Sequence, residues 1–319
     1  MGISREQALD CFNSDDLIGI GMEADAVRRR LHPEGVASYI IERKIDCAAA
    51  TFEAVCQRIR ESVEMGATGV ILRGADDSGG KGNSEQKIDG YERLLAQVRE
   101  QFPAVWLHCF SASEILTMAQ NSGLTVRETI SRLRDAGLDS IPGDDAGILD
   151  DAVHQHGVRG KWSVPGWIEV HREAHALGVR TTAGMTFGAG ESFEQRVNHL
   201  EIVWQLQEET GGFTAFTPVS FQPRAAGMSG IEEPTAVEYL KTLAISRMAL
   251  DNIENVQADL ETQGLKVLQM ALRFGGNDVG SVLFEGSDGT TEEDLRRVIR
   301  GAGLKPVQRD TLYRTMFLN

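Results

Sequence analysis

The sequence is poor in cysteine, in positive charge and in long apolar runs, and each shortage excludes a class of protein. The four cysteines, Cys11, Cys47, Cys56 and Cys109, are scattered over 319 residues, so a disulfide-stabilised framework is not expected. Lysine and arginine total 32 against 47 aspartates and glutamates, and this net charge of −15 argues against nucleic acid or an anionic membrane as the main partner. No apolar run approaches the roughly 20 residues that a membrane-spanning helix requires.

The polar N-terminus, MGISREQALDCFNSDD, has no apolar segment of the signal-peptide type, so we expect a cytoplasmic protein with reduced thiols. Hydrophobic residues make up 41% and charged residues 25%, which is ordinary for a globular enzyme. We therefore expect a small-molecule substrate and neither a nucleic-acid nor a membrane partner, and a homodimer is left open.

Apolar segments rich in β-branched residues alternate with segments of helical spacing, about eight times along the chain. Such repeats predict parallel strands joined by helical crossovers. The count and the length favour an α/β fold, a (β/α) TIM-type barrel over residues 36–319 with a C-terminal tail, preceded by a helical extension over residues 1–35. A doubly wound open sheet is the alternative. The strand segments include 36–45, 68–75, 104–111, 138–143, 179–188 and 213–223.

In a barrel, functional side chains lie at the carboxyl ends of the strands, and three residues there are candidates for catalysis. His108 in HCFSASE suits an acid–base role, although a structural histidine bonded to a backbone carbonyl fits the same position. Asp144 and Asp145 in PGDDAG could act as a general base or bind a metal through oxygen, and they equally suit a helix cap.

Other polar residues near the strand ends are predicted to bind substrate. Arg224 in SFQPRAAG is best suited to an anionic group, because its guanidinium offers several donors in a fixed fork. The glycine-rich segment RGADDSGGKGNS suggests phosphate binding but does not match a Walker loop, and a mobile polar loop is the favoured interpretation. The predicted substrate-binding residues are Arg73, Ser111, Glu114, Thr182, Thr186, Glu191, Gln222 and Arg224.

His171 and His175 in HREAH lie one helical turn apart, as two zinc ligands on a helix would. The segment is not His-Glu-x-x-His, and no third ligand is evident. Because barrel helices lie on the outside, we expect both histidines to be exposed to solvent, and no metal site is predicted.

Several longer segments together resemble one family over roughly residues 18–315. They include GIGMEADAVRRRLHPEGVASYIIER, LHCFSASEI, AHALGVRTTAGMTFGAGES and LQEETGGFTAFTPVSFQP. This pattern is similar to the cyclic dehypoxanthine futalosine synthases, radical S-adenosylmethionine enzymes of the futalosine route to menaquinone. The resemblance implies a radical-SAM-type barrel and a spiro-cyclisation of a nucleoside-derived substrate.

The chain departs from this family where the resemblance implies a cysteine loop after the first strand. There, a Cys-x3-Cys-x2-Cys motif would hold a [4Fe–4S] cluster with one iron open to S-adenosylmethionine. Here IERKID passes through CAAA to the next helix with Cys47 alone, while Cys56 belongs to a helix and Cys109 to another strand. One thiolate cannot hold a cubane cluster, so we expect no cofactor unless the family reaction is retained.

Three functions are compatible with these features. The first is a cluster-free radical-SAM-like enzyme that catalyses a non-radical cyclisation, isomerisation, elimination or hydrolysis of a polar, nucleoside-like metabolite. The second is the family reaction itself, with the cluster loop missing from this chain. The third is a non-catalytic binding pseudoenzyme.

Overall fold

The structure is a computed structural model that describes residues 1–48, 50–74, 87–143, 146–154, 163–223, 226, 230–282 and 289–316. Three residues with predicted roles, Asp144, Asp145 and Arg224, lie outside the described residues.

The described residues form ten strands in two sheets, and all the strand pairs are parallel. The strands are Val36–Ile40 (β1), Glu42–Asp46 (β2), Gly69–Arg73 (β3), Trp106–Cys109 (β4), Ser140–Ile141 (β5), Arg180–Phe187 (β6), Phe213–Ser220 (β7), Asn255–Val256 (β8), Asp278–Ser281 (β9) and Lys305–Gln308 (β10). The larger sheet has the order β2-β3-β4-β5-β6-β7-β8, and the smaller has the order β10-β1-β9.

Contacts at both edges of the larger sheet join the two sheets into one curved wall. Gln257, next after β8, bridges to Asp278 of β9, and the Ala258 N–H donates to the Asp278 carbonyl at 2.8 Å. At the other edge, Ser281 Oγ accepts from the Glu42 N–H at 2.9 Å and donates to the Glu42 carbonyl at 2.8 Å. The parallel strands curl with helices packed around them, which confirms the predicted (β/α) TIM-type barrel.

The helices in the described residues mostly follow strands and begin at polar capping residues. Thr51, for example, caps α3 by accepting a hydrogen bond from the Ala54 N–H. The helices are Arg5–Asn13 (α1), Leu17–Leu31 (α2), Phe52–Glu64 (α3), Ile88–Gln101 (α4), Ala112–Ser122 (α5), Val126–Ala136 (α6), Asp151–His154 (α7), Val164–Ala176 (α8), Phe193–Thr210 (α9), Ala236–Ala249 (α10), Leu260–Ala271 (α11) and Glu292–Gly301 (α12). In the described part of the chain, no helix has the length and apolarity needed to cross a membrane.

The N-terminal helices α1 and α2 pack on the barrel. Phe12 of α1 is 2% exposed and stacks on Phe193 of α9 with ring centroids 5.0 Å apart. Ala24 of α2 is fully buried in the same hydrophobic core. The segment 36–45, predicted as one strand, is two strands separated at Ile41, because β1 pairs with β9 and β10 whereas β2 pairs with β3.

Candidate functional site

Alternation along the strands shows which side chains face the inside of the barrel. Thr181 of β6 faces outward, because its Oγ1 lies 2.9 Å from Nδ1 of His171 on α8. Successive residues of a strand point to opposite faces, so Thr182 and Thr186 face inward. Both positions were predicted to bind substrate. Thr182 Oγ1 accepts a hydrogen bond from the Gly143 N–H at 2.9 Å, which leaves its hydroxyl proton to donate.

His108 lies on the inner face of β4. It is in register with Ile71 of β3 and Ser140 of β5, and its imidazole Nδ1 is 2.6 Å from Ser140 Oγ. Trp106, two residues earlier on the same face, donates from Nε1 to the same oxygen at 2.8 Å. His108 is 5% exposed, so its ring is almost completely buried. Sequence reasoning missed Trp106 and Ser140, although the spacing of Trp106 from His108 places both on one face.

Arg73 ends β3 on the inner face, since Leu72 before it is fully buried and Arg73 is half-buried. Its Nη1 lies 3.4 Å from Oε2 of Glu114. Glu114 also accepts from the Gly74 N–H and the Ser111 N–H, each at 2.5 Å. The carboxylate therefore ties the segments after β3 and β4 together beside the predicted site.

Ser111 and Glu114 form a capping box at the start of α5, with Ser111 Oγ accepting from the Glu114 N–H. The first amides of a helix have no partner within it, and these two side chains supply acceptors. The predicted substrate-binding role of both residues is thus replaced by a structural one, because their polar atoms are engaged at the helix start.

Glu191 is also a structural residue. Its side chain is completely buried, forms an ion pair with Arg196 at 2.7 Å, and accepts from the N–H groups of Gly188 and Ala189. A carboxylate held by a buried guanidinium and two amides does not face a ligand. The expectation that Glu191 binds substrate is therefore not supported by its position.

Gln222 lies just after β7, and its side-chain Nε2 is buried with no hydrogen-bond partner in the part of the chain that the structure describes. A buried amide without a partner is costly, so a ligand acceptor at this position would stabilise it. The substrate contact of Gln222 stays a prediction.

The helix that carries His171 and His175 does lie outside the barrel, but the expectation of solvent exposure is wrong. His171 is fully buried and His175 Nε2 lies 2.8 Å from Thr181 Oγ1. Burial, and next the neighbouring His175, hold the pKa of His171 well below its usual range. Burial, followed by Arg180, lowers the pKa of His175 to about 4. Both histidines lie on the side of α8 that packs against the sheet, where each contacts Thr181 Oγ1 of β6.

The turn between β2 and α3 is short, and Cys47 at its start is hydrogen-bonded to the neighbouring strand β3. Within it, the Cys47 N–H and the Cys47 thiol each donate to the Arg73 carbonyl at 2.8 Å. Burial, then the charge of Glu114, raises the pKa of Cys47. Cys47 thus supplies one sulfur at this turn, and that sulfur is engaged with the Arg73 carbonyl, whereas a [4Fe–4S] cluster needs three cysteine ligands from the protein.

The remaining cysteines do not complete a ligand set with Cys47. Cys109 is fully buried on β4, and burial raises its pKa well above the usual value. Cys56 lies within α3 and Cys11 within α1. Within the described ranges, no group of three or more His, Cys, Asp or Glu side chains is placed to hold a metal ion.

Comparisons with known proteins connect this barrel with one family. The family model described as CofH/MqnC C-terminal region matches residues 210–318. The chain is 34% identical to a cyclic dehypoxanthine futalosine synthase of Halalkalibacterium halodurans, over 98% of this chain and 90% of the relative. It is 32% identical to a 5-amino-6-(D-ribitylamino)uracil–L-tyrosine 4-hydroxyphenyl transferase of Methanocaldococcus jannaschii, over 98% of this chain and 97% of the relative.

Solved structures support the same fold. The FeFe-hydrogenase maturase HydG from Carboxydothermus hydrogenoformans has a TM-score of 0.72 at 13% identity, covering 98% of this chain and 77% of that chain. Methylornithine synthase (PylB) has a TM-score of 0.67 at 16% identity, covering 95% and 94%. At these identities the likeness establishes the fold.

The expectation that no cofactor is used is contradicted by these similarities. The relatives and structural neighbours are radical S-adenosylmethionine enzymes, a class that uses a [4Fe–4S] cluster and S-adenosylmethionine. The cysteines of this chain do not fit the cluster, since Cys47 is the one thiol in the turn after β2 and is bonded to a carbonyl. This departure is local, and the similarity extends over nearly the whole chain. The chain therefore belongs to the CofH/MqnC family, which includes the cyclic dehypoxanthine futalosine synthases.

Proposed function

We propose that this chain is an enzyme that forms a cyclic product from a polar, nucleoside-derived metabolite, as the name of its cyclic dehypoxanthine futalosine synthase relatives indicates. The observation that carries the proposal is the 34% identity to two such synthases, each over 98% of this chain. The proposal concerns the substrate class and the bond that forms. No step through a cluster is assigned to this chain, because its cysteines do not fit one.

The inner face of the barrel supplies the groups that would bind this substrate. Arg73 offers a cation for an anionic group, and His108 offers an imidazole for proton transfer or hydrogen bonding. Thr182 and Thr186 offer hydroxyls along β6, and Gln222 offers its buried amide. Donors and acceptors thus line the strand ends where a barrel binds its substrate.

A second candidate is a non-radical cyclisation, isomerisation, elimination or hydrolysis of the same class of metabolite. It is favoured by one observation, the short turn after β2, whose single thiol, Cys47, donates a hydrogen bond to the Arg73 carbonyl. In this reaction His108 would serve as acid or base, together with Asp144 or Asp145, and Arg224 would bind an anionic group. Those last three residues lie outside the described residues.

The two candidates are separated by one set of assays with dehypoxanthine futalosine. The protein is incubated anaerobically with this substrate, before and after reconstitution with iron, sulfide and S-adenosylmethionine, and bound iron is counted. Cyclised product under either condition supports the proposed substrate class and bond. Product that depends on reconstitution would overturn the conclusion that the cysteines do not fit a cluster, and product formed without reconstitution supports the non-radical candidate. His108→Gln should lower turnover about 100-fold or more in either case. Absence of the cyclised product under both conditions would contradict the first proposal.

A further inference from the structure

Two aromatic side chains on the inner face of the barrel share Ser140 Oγ as a hydrogen-bond partner. Trp106 Nε1 lies 2.8 Å from this oxygen and His108 Nδ1 lies 2.6 Å from it. Ser140 is 2% exposed, so water does not compete for its hydroxyl. The three residues are held by the pairing of β4 with β5, in which His108 is opposite Ser140.

The number of protons decides the direction of these hydrogen bonds. An indole N–H can only donate, so Trp106 donates a hydrogen bond to one lone pair of Ser140 Oγ. A serine hydroxyl has one proton to donate and two lone pairs. If Nδ1 of His108 carried a proton, it would donate a hydrogen bond to the second lone pair of Ser140 Oγ. The serine hydroxyl proton would then need another acceptor. In the described residues, Ser140 Oγ has no third partner, so that proton would be buried without one.

We propose that Ser140 is a positioning residue that donates its hydroxyl proton to Nδ1 and so holds His108 as the neutral Nε2–H tautomer. The ring then presents Nε2 as a hydrogen-bond donor. In the proposed function, on which this role rests, the donor would meet an oxygen or nitrogen of the substrate, or deliver its proton to a leaving group. A base at Nε2 would require the other tautomer, so of the two proton-transfer roles named for His108 this arrangement favours the acid.

Trp106 holds the serine in this orientation. Its N–H donates to Ser140 Oγ at 2.8 Å, and the Arg314 guanidinium lies 5.8 Å from the Trp106 ring centroid. With this indole N–H directed at Oγ, the serine hydroxyl satisfies both neighbours in one orientation, the one that points its proton at His108 Nδ1.

The test is the tautomeric state of His108 in the free, full-length protein, measured by long-range ¹H–¹⁵N NMR after ¹⁵N-histidine labelling. His108→Gln identifies the His108 signals by their loss. We expect a pyridine-type Nδ1 and a pyrrole-type Nε2 in the wild-type protein at neutral pH. Ser140→Ala should move both nitrogens toward the intermediate positions of a ring that exchanges between tautomers, and Ser140→Thr, which keeps the hydroxyl, should restore the wild-type pattern.

Ser246→Ala is the matched control, because Ser246 is fully buried and its hydroxyl bonds to the Thr242 carbonyl of its own helix. It should leave the His108 signals unchanged. A pyrrole-type Nδ1 or a doubly protonated ring in the wild-type protein overturns the proposal, and so does a wild-type pattern in folded Ser140→Ala. If the tautomer is as expected but His108→Gln turns over normally, the positioning role in the free protein stands and the proposed function of His108 fails.

Discussion

Glu114 shows how one buried carboxylate can organise the segments around a candidate site. It is 3% exposed and accepts from the N–H groups of Ser111 and Gly74 while pairing with Arg73. In Glu114→Gln, the amide nitrogen would face a backbone N–H as donor against donor. We expect this variant to lose about 1–3 kcal/mol of unfolding free energy, measured by urea denaturation.

The capping box of α6 provides the matched control for this prediction. Glu128 occupies the same helix position as Glu114 and accepts from the Thr125 N–H at 2.9 Å, but it lies at the exposed surface. Glu128→Gln should therefore destabilise the protein less than Glu114→Gln. Equal losses in the two variants would show that burial of Glu114 adds nothing to the cap.

At the scale of the element, the packing of α8 against β6 and β7 makes stability depend on pH. His175, on α8, has its pKa lowered to about 4 in the folded protein by burial and by Arg180, against an ordinary value of 6.5. Between these values the unfolded chain binds a proton that the folded protein does not, so unfolding free energy falls as pH decreases from 6.5 towards 4. His171 acts in the same direction, since burial lowers its pKa as well.

The variant His175→Gln removes one of these protons and should weaken the pH dependence. Between pH 8 and pH 5 we expect its loss of unfolding free energy to be about 2 kcal/mol smaller than that of the wild-type protein. Urea denaturation of both proteins at the two pH values measures this difference, and the cost of the substitution itself cancels. Identical losses would mean that the pKa of His175 is the same in the folded protein as in the unfolded chain.

At the scale of the whole molecule, the C-terminal segment secures the barrel through a buried ion pair. Arg309, just after β10, contacts Asp278 of β9 at 2.6 Å and Gln257 at 3.0 Å, and its guanidinium lies 3.7 Å from the Tyr313 ring centroid. Arg309→Met would leave a buried carboxylate unpaired. We expect a loss of about 3–5 kcal/mol in unfolding free energy, measured by urea denaturation.

Arg297→Met is the comparison for this variant, because Arg297 forms its ion pair with Asp294 on the surface of α12 and its side chain is 71% exposed. Exposed pairs contribute little to stability. The Arg297 variant should therefore unfold close to the wild-type protein. If Arg309→Met also has the unfolding free energy of the wild-type protein, the C-terminal segment does not stabilise the barrel through Asp278.

Much of the fold could be predicted from local patterns, and less of the site. The strand segments 179–188 and 213–223 contain β6 and β7, because alternating and β-branched residues mark a strand locally. The inward position of Thr182 follows from the same alternation. The roles of Ser111 and Glu191 did not follow, since a polar residue at a strand end can bind a ligand, a helix amide or an arginine, and the partner is distant in sequence or set by the turn.

Local sequence patterns were enough to predict the alternating strands and helices, the family resemblance and the single cysteine in the turn after β2, because each can be read from residues close together in the chain. Tertiary structure decided which polar groups remain for a substrate. His171 is buried because α8 presents it to β6, and Glu191 is covered because Arg196 reaches it from α9. His108 meets Ser140 and Trp106 because β4 and β5 pair in parallel. Hydrogen-bond partners across a barrel are fixed by strand register, which depends on contacts between distant segments.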